Sequence, residues 1–209
     1  DQDITFTGYG GRGRVASLEL RVDDPVHTAL QFIVVHAPCS TSTYVREQLS
    51  HEIVRHQETH LCNKAIDMGV AKGHLQIVVA DANSVVGGAG RANGKLTKGD
   101  GRYSFSRYLL YKGFVPLWQV WYGTSEDARA FTFNFGNTKA AHLDGFWVRR
   151  AQWEGLGGGA NGGGPLACLH LSVSADMRAL RRGARGTVPD HCDITLAMRV
   201  RRRRHAQRR

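Results

Sequence analysis

The chain is poor in several features that would assign it to a class at once. In its 209 residues there is no apolar run of 18 or more, so no segment has the composition of a membrane-spanning helix. Cysteine is scarce. The four, Cys39, Cys62, Cys168 and Cys192, form no Cys-x-x-Cys pair, which excludes a zinc ribbon and a small-protein disulfide framework and fits a reducing, intracellular setting. The nearest approach to a zinc-protease helix, His51-Glu52-Ile53-Val54-Arg55-His56, has one residue too many. Five positions turn a helix by about 500°, leaving the imidazoles roughly 140° apart. The glycine run from Gly155 to Pro165 lacks the Gly-Lys-Ser/Thr ending of a phosphate-binding loop and reads as a flexible insertion. No internal repeat is present.

Acid is also in short supply, with 18 Asp and Glu against 28 Lys and Arg for a formal net charge of +10. The excess is unevenly placed. Residues 199–209 carry seven arginines and no acid, and without those seven charges the net falls to +3. A block of like charge is solvated and binds polyanions without sequence preference. The tail 201–209, with Arg201, Arg202, Arg203 and Arg204, is therefore set apart from a compact domain over 1–200, whose 42% hydrophobic content supports a substantial core. Upstream, Arg178, Arg181, Arg182 and Arg185 recur at spacings that would align them on one helical face, although Gly183 weakens that helix. A nucleic acid is the expected partner of both features; an acidic protein or a membrane surface is the alternative.

Periodicity predicts alternating strand and helix with much antiparallel pairing. Strands are expected over Arg14 to Val22, Leu30 to Ala37, Leu75 to Ala82, Ala130 to Phe135, Leu143 to Arg149, Ala167 to Ser174 and Asp193 to Val200. A helix is expected over Tyr44 to Met68, with Leu49, Ile53, His60, Leu61 and Met68 near its apolar stripe. A second spans Arg102 to Lys112 and ends at Gly113, a residue suited to the left-handed cap. Gly87 to Gly101, rich in Gly, Asn and Lys, reads as a loop.

Three segments carry the chemistry: Val79-Ala80-Asp81-Ala82-Asn83, His142-Leu143-Asp144-Gly145-Phe146 and Pro189-Asp190-His191. Each puts an acid or a histidine at the end of an apolar, strand-like run. There a side chain is held rigidly at a cleft, whereas inside a buried strand it would carry an unpaired desolvation cost. Singly each has a plain structural reading, since Asp-x-Asn after a strand is a common turn opener.

In their order these segments resemble the endonuclease/exonuclease/phosphatase superfamily, and within it the endonuclease domain of non-LTR retrotransposons. The resemblance runs from about Gly10 to Val200. It takes in Phe32-Ile33-Val34-Val35-His36-Ala37-Pro38, Phe131-Thr132-Phe133 and Pro189-Asp190-His191-Cys192. His36 stands where the family has a phenol, Ala80 where it has Gly, Ala82 where it has an aromatic and Pro189 where it has Ser. The family opens with two further strands bearing an Asn and a metal-binding Glu, and Asp1 to Val22 contains neither, so the domain is expected to be N-terminally incomplete. The implied fold is α/β, a four-layer sandwich of two mostly antiparallel sheets flanked by helices, lacking the first strands.

The implied activity is Mg2+- or Mn2+-dependent cleavage of a phosphodiester in DNA by a retrotransposon-derived domain. By that resemblance Asp81 lies near the nucleophilic water or leaving group and Asn83 on a phosphate oxygen. Asp190 helps hold the metal, His191 contacts the scissile phosphate, and Asp144 orients His191 and favours its protonated form. His36 could donate to a phosphate oxygen in the phenol's place. The alternative is a nuclease-derived scaffold that no longer cuts and binds RNA as a structural part of a ribonucleoprotein such as a ribosome. A phosphatase acting on small phosphoesters ranks third.

Overall fold

The computed structural model describes residues 4–8, 14–22, 29–37, 59–87, 90–91, 93–97, 100, 104–122, 131–134, 140–153, 166–173 and 194–200. A six-stranded sheet forms the centre. It comprises β1 (Ile4–Gly8), β2 (Val15–Arg21), β3 (Ala29–His36), β4 (Leu75–Asp81), β5 (Phe114–Pro116) and β8 (Asp144–Arg149), in the order β1-β2-β3-β4-β8-β5. Only β3 and β4 run parallel; the other neighbours are antiparallel. The parallel pair is joined across α1, described over 59–71, as a parallel connection requires. On the way to β8 the chain forms α2 (Phe105–Tyr111), β5, α3 (Leu117–Tyr122) and a short hairpin of β6 (Phe133–Asn134) and β7 (Ala140–Ala141). β9 (Leu166–Val173) and β10 (Ile194–Val200) make a second, antiparallel sheet.

Alternation along the central strands sorts their side chains into two layers. Ile33, Val35, Val78, Ala80 and Trp147 pack with Cys62, Ala65, Ile66, Phe105 and Leu109 of α1 and α2. On the other face Leu30, Leu75, Ile77 and Val148 meet Leu166 and Leu171 of β9, with Ile194, Leu196, Met198 and Val200 of β10 packed against them. Helices, central sheet and second sheet thus stack as three layers of the expected α/β sandwich. The arginine stripe of Arg178, Arg181, Arg182 and Arg185, the tail with Arg201 to Arg204, the glycine run and residues 44–58 lie outside the described residues.

Most expected strands appear within a residue or two of their forecast ends. Ala130 to Phe135 is represented by the two residues of β6. β1, β5 and α3 were not expected; β5 and α3 are only 3 and 6 residues long, too short to show a period, and β1 is drawn into the sheet by pairing with β2. Gly113 takes a φ of 81° after α2, and Ser104 caps the other end by accepting the Arg107 N–H at 3.3 Å.

The face of α1 differs from the expected stripe. His60 is exposed and Met68 is 38% exposed, while Cys62, Ala65, Ile66 and Gly69 are buried. The cause is polar. Gln31 and Gln76 sit opposite each other on β3 and β4, both fully buried. The Gln76 amide donates to Gln31 Oε1 at 2.8 Å and to the Ile66 carbonyl at 2.9 Å; the Gln31 amide donates to Ser17 Oγ at 3.0 Å and to the Ala65 carbonyl at 3.2 Å. Arg149 Nε completes the set by donating to Gln76 Oε1 at 2.8 Å. A buried amide without partners would cost about 1–3 kcal/mol, so these bonds dictate which helix face meets the sheet.

Gly69 is where the helix rides over the two amides. A Cβ there would collide with Gln31 Oε1 and Gln76 Nε2. Gly69→Ala is therefore expected to destabilise the fold by about 1–3 kcal/mol despite the better helix propensity of alanine. A urea midpoint equal to that of the unsubstituted chain would contradict this account.

Candidate functional site

The ends of three adjacent central strands converge on one row. His36 pairs in register with Asp81 across β3 and β4, and Asp81 pairs with Asp144 across β4 and β8. Partners in register share a face, so the three side chains project from the face that carries Leu30, Ile77 and Val148 lower down. Cover by the second sheet thins toward this end: Leu30 is 6% exposed and Val34 47%, while the side chains of Asp81 and His36 are 21% and 60% exposed. The row therefore lies at the open rim of the intersheet space.

Local bonds hold each member. Ala37 donates its N–H to the Asp81 carbonyl at 2.8 Å, and Ala82 donates to the Leu143 carbonyl at 2.8 Å, carrying the ladder past the named strand ends. The Asp81 carboxylate accepts the Asn83 N–H at 3.2 Å, the turn-opening bond of an Asp-x-Asn segment. Asn83 takes a φ of 47°, a left-handed conformation that Asn tolerates, and its Nδ2 donates to the Ala37 carbonyl at 2.6 Å. His36 Nε2 lies 3.4 Å from Asp81 Oδ2, an ion pair whenever the imidazole is protonated. At this exposure such a pair contributes no more than about 1 kcal/mol, so its value lies in placing the ring.

Asp144 is held through its backbone. Its N–H donates to Thr132 Oγ1 at 3.0 Å, and the Thr132 N–H donates to the Ala141 carbonyl at 3.1 Å. Next to it His142 is buried between rings, stacked on Trp118 at 4.0 Å and 11° and tilted against Phe131 at 4.7 Å. Its Nδ1 has no hydrogen-bond partner among the described residues, and burial pushes its pKa down to about 4, so the ring is neutral at physiological pH. His36, Asp81, Asn83 and Asp144 are thus brought together, while Asp190 and His191 lie outside the described residues. Thr132 and His142 help build this site; their segments were read from the sequence but neither residue was assigned a role, because the bond from Thr132 to the Asp144 N–H and the burial of His142 arise only on folding.

The structure also reveals Asp100, whose carboxylate is fully buried. Burial alone would raise its pKa, but the Arg91 guanidinium and the Thr97 and Val85 donors outweigh that and hold it below the ordinary carboxylate range. Asp100 ties Val85, Arg91 and Thr97 together within and beside the stretch expected to be a loop. Among the described residues no group of three or more His, Cys, Asp or Glu side chains could hold a metal ion. The donors present are nonetheless hard oxygens. An ion such as Mg2+ takes one or two carboxylates and fills its remaining positions with water and phosphate, so Asp81 and Asp144 fit its chemistry.

No family model matches this sequence, and no curated protein matches it. Solved structures do match the fold. The 3'-5' exonuclease NExo from Neisseria meningitidis superposes with a TM-score of 0.56 at 14% identity, over 94% of this chain and 70% of that one. The catalytic domain of Xenopus laevis APE2 gives 0.57 at 13% identity, over 91% and 57%. An AP endonuclease from Archaeoglobus fulgidus gives 0.56 at 11% identity, over 94% and 71%. The chain has the endonuclease/exonuclease/phosphatase fold. At these identities the likeness establishes architecture alone. Among the described residues, no helix of this fold is long and apolar enough to cross a membrane.

The neutral His142 makes stability depend on pH. Burial in the folded chain lowers its pKa to about 4 from the 6.5 of an ordinary histidine, so the unfolded chain binds the extra proton between those values. Unfolding free energy should be at its full value above pH 6.5 and fall as the pH drops toward 4, by up to about 3 kcal/mol. His142→Phe keeps a ring in the stack and should flatten that slope in urea titrations from pH 7 to 4; an unchanged slope would assign it to other groups.

Proposed function

We propose that this chain is a metal-dependent phosphodiester-cleaving domain acting on DNA, related to the endonuclease domains of non-LTR retrotransposons. The observation that carries the reading is the row of His36, Asp81 and Asp144 in register on three adjacent strand ends, with the His36 and Asp81 side chains open to solvent. Support comes also from the solved neighbours: one is a 3' phosphatase bound to a product DNA hairpin, and others are an exonuclease and an AP endonuclease. The retrotransposon kinship rests on the order of the sequence segments.

In this reading the cleft positions the scissile phosphate over the row, and each side chain has one task. Asp81 takes a proton from the attacking water, or lies by the leaving oxygen, its orientation held by the Asn83 N–H. The Asn83 amide, fixed by its bond to Ala37, reaches a phosphate oxygen. His36 donates to a second phosphate oxygen from the rim. Asp144 orients the imidazole of His191, which contacts the scissile phosphate. Asp190, with carboxylate help from the row, would hold Mg2+ or Mn2+, which when bound supplies charge relief for the phosphoryl oxygens. The arginine tail adds attraction to a polyanion that does not depend on sequence.

Conversion of supercoiled plasmid to the nicked form tests this directly. With Mg2+ the full chain should nick, EDTA should abolish nicking, and Asp81→Asn should slow it by about 10²–10⁴-fold. Salt-sensitive binding of nucleic acid without cleavage by the folded protein would overturn the catalytic reading in favour of a scaffold that holds RNA in a ribonucleoprotein.

A further inference from the structure

The loop that leaves the site after Asn83 is built more firmly than its composition suggests. Asp100 accepts from Arg91 Nε at 2.7 Å and Arg91 Nη2 at 2.9 Å, from the Thr97 N–H at 2.7 Å and Oγ1 at 2.8 Å, and from the Val85 N–H at 2.7 Å. Two turns close within this brace: Gly94 N–H donates to the Arg91 carbonyl and Asp100 N–H to the Thr97 carbonyl, each at 3.0 Å. The base of the loop is tied to the site from both sides. Val85 follows Asn83 by two residues. The Gly90 carbonyl accepts the His142 N–H at 2.9 Å, and Arg91 bridges to Ala141, just ahead of Asp144.

The loop's tip is exposed throughout residues 93–97. Lys95 has no ion pair among the described residues. Its N–H donates to Asn93 Oδ1 at 3.0 Å, which sets the turn at the tip. Leu96, beside it, is 47% exposed although it sits next to a bonded frame and not in a free terminus. A single exposed leucine is ordinary. A cation and an apolar side chain, side by side on a pre-braced loop rooted in a candidate phosphate-cleaving row, meet the needs of a nucleic-acid surface. That surface presents phosphates to the cation and sugar and base edges to the apolar group. The bonds to Asp100 hold Arg91 and Thr97, on either side of the tip, before any ligand arrives, and such preorganisation lowers the cost of binding.

We propose that Lys95 and Leu96 form a nucleic-acid contact that grips the substrate beside the scissile phosphate, Lys95 on a backbone phosphate and Leu96 against the groove wall. This rests on the nuclease reading of the row. The loop is then a specificity element: it selects which nucleic acid enters, while the row performs the cleavage.

Fluorescence anisotropy of labelled duplex DNA and, separately, duplex RNA, titrated with the full chain in EDTA at several salt concentrations, tests this without recourse to activity. Lys95→Ala should weaken binding at low salt and reduce the slope of log K against log salt by about 0.9. Leu96→Ala should weaken binding about fivefold with the slope unchanged. Tyr111→Ala, on the exposed face of α2, serves as the surface control and should bind as the unsubstituted chain does. The larger loss on DNA or on RNA identifies the substrate class. If both loop variants bind like the unsubstituted chain, the loop contact is overturned and the nuclease reading is untouched. If the unsubstituted chain binds neither duplex, both are overturned.

Discussion

The parallel pairing of β3 with β4 is the constraint on which the rest of the molecule depends. It sets His36 beside Asp81 and, through β4, aligns Asp81 with Asp144. A slip of one residue would turn Asp81 to the opposite face of the sheet, into the helix-packed core, where an unpaired carboxylate is costly. The register is secured at the other end of the same two strands. There the Gln31–Gln76 amide pair can satisfy itself, α1 and Arg149 in one alignment. Polar groups buried far from the cleft thereby place the polar groups at its rim.

The two ends of the sheet use their polar residues in opposite ways. Gln31 and Gln76 are sealed and bonded to main chain and side chain alike, a pattern that fixes structure. His36, Asp81 and Asn83 stay partly exposed; Asp81 and Asn83 are held by main-chain partners at the strand ends, and His36 by the Asp81 carboxylate. Rigid placement with open access is what the proposed phosphate-handling role requires. Asp100 extends the principle outward, since a buried charge braces Arg91 and Thr97 near the surface.

Much of this was legible in the residues. The apolar runs ending in Asp81 and starting at Asp144 announced two strands whose polar ends face a cleft, because burial within a strand and a charge are incompatible. The order of those segments, with Phe131-Thr132-Phe133 between them, pointed to the fold. The rotation of α1 was not legible: Gln31 and Gln76 interrupt apolar strands without advertising that they meet, and their pairing places Ala65 and Gly69 inward where Met68 looked the better core residue. Nor could composition show that Asp100 binds Val85, Arg91 and Thr97, since a bond between Arg91 and Asp100 depends on how the chain turns between them. His142 heads one of the segments read from the sequence, but its neutral state is a product of Trp118 and Phe131 closing over it.

By itself the sequence determined the strand-rich α/β class, the position of the acidic strand ends and the concentration of positive charge in the last residues. Each of these follows from local periodicity or local charge. Only the tertiary structure decided that His36, Asp81, Asn83 and Asp144 stand together at one rim, which face of α1 is buried, and that Asp100 ties Val85, Arg91 and Thr97 together. Those are matters of register and of long-range hydrogen bonding between residues 45 or more positions apart in the cases of Asn83–Ala37 and Gln76–Gln31, and no window along the chain contains both partners.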